Sequence, residues 1–410
     1  MALRLPGHHA AHIWRGPIAL LAVLIATIAS PAAVAGQGVG TPSATVTSPA
    51  ANAGQGIGTP KACPAHCRRF KIAWAGDVFL GDAVQPYLDR NGYAWPFAFV
   101  RPLLDADYAV GNAEGPITSR TKKYFPTQRW SYNARPFAAA ALANVGFKAM
   151  NLSNNHALDR GPGGLADSIR HLRDAGIAPF GAGMDLGAAA APLLIHTPFG
   201  AVAVVGISER WTYGSVAGPH KPGTVPLARA VIAREKALAK SAGARWVVAF
   251  VHWGKNYAPI TDKQRRFAAL FAAAGYDLVI GHHPHVQQPV ELIHGMPVLY
   301  SLGNFAFGSP GRFSEKMPGY GLVADTILDD HGFADIQLTC IVTDNSVVKF
   351  QPRPCGPNIA RSVIKGLGPA VKWEHGKGVV RLRRDVVGPV PPGRRDAGRA
   401  NDHRPMKAVS

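Results

Sequence analysis

The sequence predicts an α/β layered fold that ends in antiparallel strands. Short apolar runs, often rich in β-branched residues, alternate with helical stretches from Phe70 onward, as in folds with buried strands. After Asn304 the pattern changes to a meander of strands. With 410 residues, 47% of them hydrophobic, the chain is long enough to bury a deep core.

The individual elements follow from these patterns. Buried strands are predicted at 71–75, 108–111, 147–152, 201–207, 246–251 and 278–280. Helices are predicted at 164–175, 227–242 and 262–274, and Thr261 or Asp262 can cap the third. The later strands are predicted at 319–328, 332–343 and 346–351.

The first 35 residues are predicted to be a secretory signal peptide. Arg4 and Arg15 precede an apolar stretch at 17–29, and the Ala-Val-Ala of residues 33–35 suits a signal peptidase. This stretch is shorter than the roughly 20 residues of a membrane-spanning helix, although an uncleaved anchor is the alternative. We therefore expect export to the periplasm, the cell envelope or the outside of the cell.

Composition then divides the rest of the chain. Residues 36–69 are predicted to be a flexible linker, because their Gly, Ala, Ser, Thr and Pro cannot bury enough apolar surface to offset chain entropy. The main domain is predicted at 70–355. Residues 372–410 are predicted to be a basic, disordered tail, since that end carries ten Lys and Arg, four acids and several prolines.

The cysteines and the net charge narrow the choice of compartment and partner. An even number of cysteines in an exported chain favours disulfides, and three pairings are possible among Cys63, Cys67, Cys340 and Cys355. A zinc site at the first two is the alternative. The formal charge of +19 favours polyanionic partners. Because export argues against nucleic acid, an anionic membrane surface or an acidic polymer remains, unless the charge only reflects an arginine-rich genome.

Polar residues suited to metal binding follow several of the predicted strands. In open α/β sheets, ligands gather outside the carboxyl ends of the strands. Since residues two apart in a strand point the same way, His283 and His285 are candidate ligands and His282 is not. Taken singly, each candidate could be a turn residue, a loop acid or a core histidine. The candidate ligands are Asp77, Glu114, Asn155, His252, His283 and His285.

The kinds of side chain indicate the metal. Carboxylates, an amide oxygen and imidazoles suit manganese, iron or zinc. The number of candidates exceeds the needs of one tetrahedral ion, so two ions are predicted. Such a pair can generate a hydroxide and hold both the attacking and the leaving oxygen of a phosphoryl group.

Six segments in the order of the chain combine these candidate residues with glycines and apolar neighbours. They are Gly76-Asp77-Val78-Phe79-Leu80-Gly81-Asp82, Asn112-Ala113-Glu114-Gly115, Asn154-Asn155-His156-Ala157-Leu158-Asp159, His252-Trp253-Gly254, Gly281-His282-His283-Pro284-His285-Val286 and Ser301-Leu302-Gly303-Asn304-Phe305. Together they resemble the bacterial CapA family of capsule and poly-γ-glutamate synthesis proteins, which are similar to calcineurin-type metallophosphatases. The resemblance covers roughly residues 70–330.

The resemblance implies a four-layer α/β/β/α sandwich of two mixed sheets flanked by helices, with the metals at the sheet ends. It implies that Glu114 bridges two metals, that Asp77 and His285 hold the first, and that the second is completed by Asn155, His252 and His283. It also implies catalytic roles for two residues: His156 would stabilise the transition state or protonate the leaving group, and Asp159 would orient it.

Two positions depart from the family pattern. Family members often carry an acid two residues after the His252-Trp253-Gly254 motif, where this chain has Asn256. The superfamily's first motif pairs Asp with a histidine two residues later, whereas Val78 and Phe79 follow Asp77 here. The first metal would therefore be short of one imidazole, which allows single occupancy.

The resulting hypothesis is an exported metal-dependent hydrolase that serves synthesis or export of an anionic capsule polymer such as poly-γ-glutamate. Its expected substrate is an anionic polymer or a phosphoester, and its expected partners are membrane-associated capsule synthesis proteins. Two alternatives remain open. One is a non-catalytic polymer-binding or assembly component, and the other is a general extracytoplasmic metallophosphodiesterase.

Overall fold

A computed structural model describes residues 69–209 and 214–382. The predicted signal peptide, all but the last residue of the predicted linker, Cys63 and Cys67 lie outside the described residues. So do residues 383–410 of the predicted tail.

The described residues form strands, α-helices and short 3-10 helices. The strands are β1 (Phe70–Phe79), β2 (Tyr108–Ala113), β3 (Ala149–Asn151), β4 (Ala178–Phe180), β5 (Ala182–Gly183), β6 (Leu193–Thr197), β7 (Gly200–Ser208), β8 (Gly223–Thr224), β9 (Ala244–His252), β10 (Leu278–His282), β11 (Val290–Ile293), β12 (Met296–Leu299), β13 (Asn304–Phe307), β14 (Tyr320–Asp329), β15 (Gly332–Val342), β16 (Arg353–Pro354), β17 (Lys372–Glu374) and β18 (Lys377–Arg381). The α-helices are α1 (Gln85–Asn91), α2 (Phe137–Val145), α3 (Gly161–Asp174), α4 (Leu186–Ala190), α5 (Arg229–Ser241), α6 (Asp262–Ala273), α7 (Asn345–Val348) and α8 (Pro357–Lys365). The 3-10 helices are Asp82–Val84, Trp95–Phe97 and Arg101–Leu104.

Two mixed sheets organise these elements. The larger sheet has the strand order β17-β18-β15-β14-β1-β2-β3-β4, with β13 beside the end of β1 and β16 beside β15. Strands β1 to β4 are parallel, whereas β14, β15 and β18 are antiparallel to their neighbours. The smaller sheet has the order β11-β12-β10-β9-β7-β6, with β11 and β6 as antiparallel edges. The predicted α/β fold with late antiparallel strands is confirmed.

Because side chains alternate along a strand, each sheet presents apolar side chains on both of its faces. Trp74 of β1 and Phe250 of β9 meet between the sheets, with ring centroids 6.0 Å apart. Ala73 of β1 packs in a second core with α1, α2 and α3, and Ala249 of β9 packs in a third core with α5 and α6. The molecule is therefore a four-layer α/β/β/α sandwich.

Most predicted helices and strands are present, and one strand is wrong. Helices α3, α5 and α6 begin and end within three residues of the predicted bounds. The predicted strand at 346–351 is instead helix α7, because the Asp344 side chain accepts a hydrogen bond from the Ser346 N–H at 2.8 Å and starts a helical turn. The two residues after α7 have positive φ values of 50° and 63°, which regular strands do not contain.

The predicted domain end at residue 355 and the predicted start of the disordered tail at residue 372 are also wrong. Strands β17 and β18 form a hairpin that pairs with β15 in the larger sheet. Val379 and Val380 are buried, whereas Arg381 stays at the surface beside two carboxylates. In the sequence, the number of basic residues conceals this alternation of buried and exposed side chains. The larger sheet therefore extends through Arg381.

A disulfide joins Cys340 of β15 to Cys355, which follows β16. It is compatible with one of the three possible pairings, in which Cys63 would pair with Cys67. Among the described helices, none combines the length and the apolar character needed to cross a membrane.

Candidate metal centre

The candidate ligands come together where strands of both sheets end. Asp77 of β1 is in register with Asn112 of β2, and Glu114 follows β2 directly. In the smaller sheet, His252 is the last residue of β9 and is in register with His282, the last residue of β10. Because these strands are parallel within each sheet, their carboxyl ends lie at one edge.

A close backbone approach positions Asp77. Its N–H donates to the carbonyl oxygen of Gly303 at 2.9 Å, and the register of β1 with β13 shifts directly after Asp77. A Cβ atom on Gly76 would lie 1.9 Å from that carbonyl oxygen, so a glycine is required there. This irregularity turns the Asp77 side chain towards the imidazoles of the smaller sheet.

The two buried carboxylates differ in their hydrogen bonds. Asp77 accepts from the side chain of Asn112 at 2.8 Å and from the N–H of His283 at 3.2 Å. Neither carboxylate oxygen of Glu114 has a hydrogen-bond partner among the described residues. A buried carboxylate without a donor is costly unless a positive charge or a proton satisfies it.

Imidazole nitrogens surround the unsatisfied Glu114. Its Oε1 atom lies 3.8 Å from Nε2 of His156, 3.8 Å from Nε2 of His252 and 3.7 Å from Nε2 of His285. Two sets of side chains have ligand atoms within 4.8 Å of one another, and Glu114 belongs to both. One set is Glu114, His252 and His283, and the other is Asp77, Glu114 and His285.

Amides extend each set. Nε2 of His252 lies 2.8 Å from Oδ1 of Asn155 and 3.1 Å from Nδ1 of His283. Nδ1 of His285 lies 2.9 Å from Oδ1 of Asn304. The structure thus brings together all six residues that the sequence nominates as ligands. It adds Asn304, and Asn112 beneath Asp77, to which the sequence analysis gave no role.

The pKa shifts of the buried carboxyl and imidazole groups favour the binding of a cation. Burial raises the pKa of Asp77 to about 7, and burial with the nearby Asp77 and Asp159 carboxyls holds the pKa of Glu114 well above its usual range. Burial lowers the pKa of His285 to about 4, and burial with the neighbouring imidazoles lowers the pKa of His252 well below its usual range. His252 and His285 are therefore neutral at pH 7, as histidines that bind a metal must be, and the two carboxylates lack a compensating positive charge. This donor set fits a divalent cation.

A histidine and an aspartate stand beside the ligands. Nδ1 of His156 lies 2.7 Å from Oδ2 of Asp159, which also accepts the N–H of Tyr132 at 2.6 Å. The other oxygen of Asp159 accepts from Gln128 at 2.8 Å. The Tyr132 ring stacks on the His156 ring at 4.1 Å. His156 is therefore held at both its ring face and its Nδ1 atom.

His282 lies apart from the metal ligands. Its Nε2 atom is 3.2 Å from the carbonyl oxygen of Ala75, and its ring packs on Phe250 at 4.1 Å. Because β10 ends at His282, strand alternation does not orient His283 and His285, and that reason for choosing the pair is wrong. Both residues have positive φ, 94° and 60°, and it is this turn that brings their rings to the site.

The sequence also matches a known protein family. The model of the family described as bacterial capsule synthesis protein PGA_cap matches residues 71–309, more than half of the chain. The chain belongs to this family. The PGA_cap match includes every candidate ligand and the His156–Asp159 pair.

Curated relatives agree with the PGA_cap assignment. The chain is 30% identical over 238 residues to the PGA biosynthesis protein CapA of Bacillus subtilis, covering 57% of this chain and 62% of that protein. It is 29% identical over 246 residues to the capsule biosynthesis protein CapA of Bacillus anthracis, covering 58% and 60%. The match therefore spans about three fifths of these relatives.

One match among solved structures is the NAD nucleotidase of Haemophilus influenzae. The two chains are 11% identical with a TM-score of 0.37, covering 73% of this chain and 56% of that one. An identity this low says nothing about the substrate of the PGA_cap chain.

Proposed function

We propose that this chain is an exported metal-dependent hydrolase that acts in the synthesis or export of an anionic capsule polymer such as poly-γ-glutamate. The single observation that carries the hydrolase proposal is the environment of Glu114. This buried carboxylate has no hydrogen-bond partner among the described residues, yet three imidazole nitrogens lie within 3.8 Å of its Oε1 atom.

The two sets of ligands suggest two ions that share Glu114. Asp77 and His285 would complete one, and His252, His283 and Asn155 would complete the other. Their mixed oxygen and nitrogen donors suit manganese, iron or zinc. When bound, such ions would polarise the scissile group and activate water.

The chain's own residues would handle the proton. The carboxylate of Asp159 holds Nδ1 of His156, which leaves Nε2 to carry a proton towards the leaving group. Tyr132 and Gln128 fix Asp159 in turn through its two oxygens. His156 would therefore act as the acid, and Asp159 as its positioning residue.

The polymer and the compartment are supported by other features. Two relatives are named for PGA or capsule biosynthesis, and the charge of +19 suits a polyanionic substrate. A signal-like amino terminus and the Cys340–Cys355 disulfide both suit an oxidising, extracytoplasmic compartment. Partners would then be membrane-associated capsule synthesis proteins or the anionic membrane surface itself.

One experiment separates this proposal from its two alternatives. The mature chain from Gly36 onward is purified, its metals are measured, and it is assayed on phosphodiester and γ-glutamyl substrates with and without manganese. His156→Ala and His283→Ala serve as inactive controls. Manganese-dependent γ-glutamyl cleavage supports the proposal. Metal-free protein that is still required for polymer production would leave an assembly role, whereas activity confined to small phosphodiesters would indicate a general phosphodiesterase.

A further inference from the structure

A cavity of about 250 Å³ opens beside the metal ligands. His156, His283 and His285 line it on one side, and Arg129 and Arg312 line it as well. None of the described residues that line it is acidic. A substrate that reaches the histidines therefore passes two positive charges without a compensating carboxylate.

Both arginines lie against aromatic rings. The guanidinium carbon of Arg129 is 5.1 Å from the centre of the Trp130 ring, and that of Arg312 is 5.6 Å from the same ring. Arg312 also lies 4.9 Å from the Tyr257 ring. These are cation–π distances, so the rings hold two like charges at one indole.

Neither arginine has an acidic partner in the part of the chain that the structure describes. Two other arginines have acidic partners: Arg120 lies 2.9 Å from Asp167, and Arg135 lies 2.7 Å from Asp89. Two positive charges placed close together repel each other, and a bound anion offsets that repulsion. Arg129 and Arg312 thus form a site that a negative group would stabilise.

Tyr257 connects this site to the metal ligands. Its ring centre lies 5.5 Å from that of His285, and its N–H donates to the carbonyl oxygen of Pro284 at 2.8 Å. Its φ of 53° is unusual for a residue other than glycine, which indicates that the loop contact fixes it. Asn256 beside it is exposed in the same cavity, and its neutral amide adds no negative charge.

We propose that Arg312 and Arg129 form a subsite for an anionic group of the substrate next to the group that is hydrolysed. This inference rests on the proposed hydrolase function. A guanidinium binds a carboxylate or a phosphate through two parallel hydrogen bonds. The substrate class is therefore a molecule that carries an anionic group beside the group that is hydrolysed, as an acidic polymer does.

Steady-state kinetics on the manganese-loaded enzyme test the subsite, with γ-linked tetraglutamate as substrate. Arg312→Ala is expected to raise KM about 10-fold or more while kcat changes little, since it removes both charge-assisted hydrogen bonds and each contributes at least about that factor. Arg312→Lys keeps the charge without the fork and should recover part of the affinity. Arg135→Ala removes the same charge outside the cavity and should leave KM unchanged.

Calorimetry keeps the subsite separable from the hydrolase proposal. Tetraglutamate and inorganic phosphate are titrated separately into metal-free wild type, Arg312→Ala and Arg129→Ala, so that neither turnover nor metal coordination contributes. Weaker binding of either probe to the variants supports the subsite, even if no turnover is ever seen, and the affected probe identifies the anion as carboxylate or phosphate. Equal binding of both probes to all three proteins overturns the subsite, while manganese-dependent cleavage would still stand.

Discussion

Nδ1 of His156 lies 2.7 Å from Oδ2 of Asp159, and both side chains are buried beside the candidate ligands. This hydrogen bond leaves Nε2 of the same ring 3.8 Å from Glu114. Nε2 of His156 can therefore carry a proton beside the candidate metal ligands. His156 itself belongs to neither set of three ligands. Metal binding and proton transfer should accordingly be separable by mutation.

Asp159→Asn should lower kcat without removing metal. The amide keeps the shape of the carboxylate but removes the charged oxygen that holds Nδ1 of His156, so we expect kcat to fall about 10-fold or more, with a larger loss in His156→Ala. Steady-state kinetics and metal analysis measure both effects. Gln128→Ala, which removes one hydrogen bond from Asp159, should have a smaller effect. Wild-type kcat in Asp159→Asn would contradict the role of Asp159.

Glu114→Gln should reduce metal binding more than any other single substitution of a ligand. Glu114 belongs to both sets, whereas His283 and His285 belong to one set each. We expect Glu114→Gln to weaken both sites by at least about 10-fold, and His283→Ala or His285→Ala to spare one. Titration with manganese followed by metal analysis gives the stoichiometry. Two tight sites in Glu114→Gln would exclude a shared carboxylate.

Stability of the metal-free protein should depend on pH through Asp77. Burial raises its folded-state pKa to about 7 from 3.8, so the folded state binds the proton more tightly than the unfolded state. This contribution is present below pH 4 and is lost as pH rises to 7 and above. In EDTA, Asp77→Asn should therefore become more stable than wild type by on the order of 2 kcal/mol at pH 8, but not at pH 4.

Urea unfolding of the two proteins at both pH values measures this difference. Burial lowers the pKa of His252 and of His285, which acts in the opposite direction, but these residues are common to both proteins. With saturating manganese the order should reverse, since only the carboxylate is a good ligand. A difference in stability that is the same at pH 4 and pH 8 in EDTA would show that folding does not raise the pKa of Asp77.

His282→Ala should reduce stability and leave metal affinity intact. The His282 ring fills the space beside Phe250 and bonds to the Ala75 carbonyl oxygen, so its loss leaves a cavity and an unpaired acceptor. We expect a loss of about 2 to 4 kcal/mol in the free energy of unfolding. His283→Ala is the matched control and should show the reverse pattern. Loss of manganese binding in folded His282→Ala would identify it as a ligand.

Reduction of the Cys340–Cys355 disulfide should destabilise the larger sheet without affecting the metal centre. The bond closes a segment with a sequence separation of 15, for which chain entropy gives about 3 kcal/mol. Thermal unfolding with and without reductant measures the loss, and Cys340→Ser with Cys355→Ser should reproduce it. An unchanged Tm would mean that the unfolded chain is constrained by other means.

The strands could be predicted because buried parallel strands are nearly continuous apolar runs. Each of these runs ends close to a polar residue, so the ends of the predicted strands that became β1, β2 and β9 identify Asp77, Glu114 and His252 without any knowledge of the fold. The loop histidines His283 and His285 were chosen for a reason that the structure contradicts, because their orientation depends on positive φ values.

Other parts could not be predicted, since they depend on contacts between distant segments. Asn304 reaches His285 because β13 lies parallel to β1, a pairing that has no local signal. Arg129 and Arg312 meet at Trp130 through two loops far apart in sequence. The hairpin of β17 and β18 was missed because its basic residues outnumber its buried valines.

Asp77 lies in a strand of the larger sheet and Glu114 directly follows the next strand, whereas His252 ends a strand of the smaller sheet and His283 and His285 follow its neighbour. The distance across the metal centre is therefore set by the thickness of the apolar layer between the sheets, where Trp74 packs on Phe250. Trp74 is three residues before Asp77, and Phe250 is two residues before His252. The spacing between the carboxylates and the imidazoles is thus a property of the protein interior, and a change of volume at this aromatic pair would alter that spacing without touching a candidate ligand.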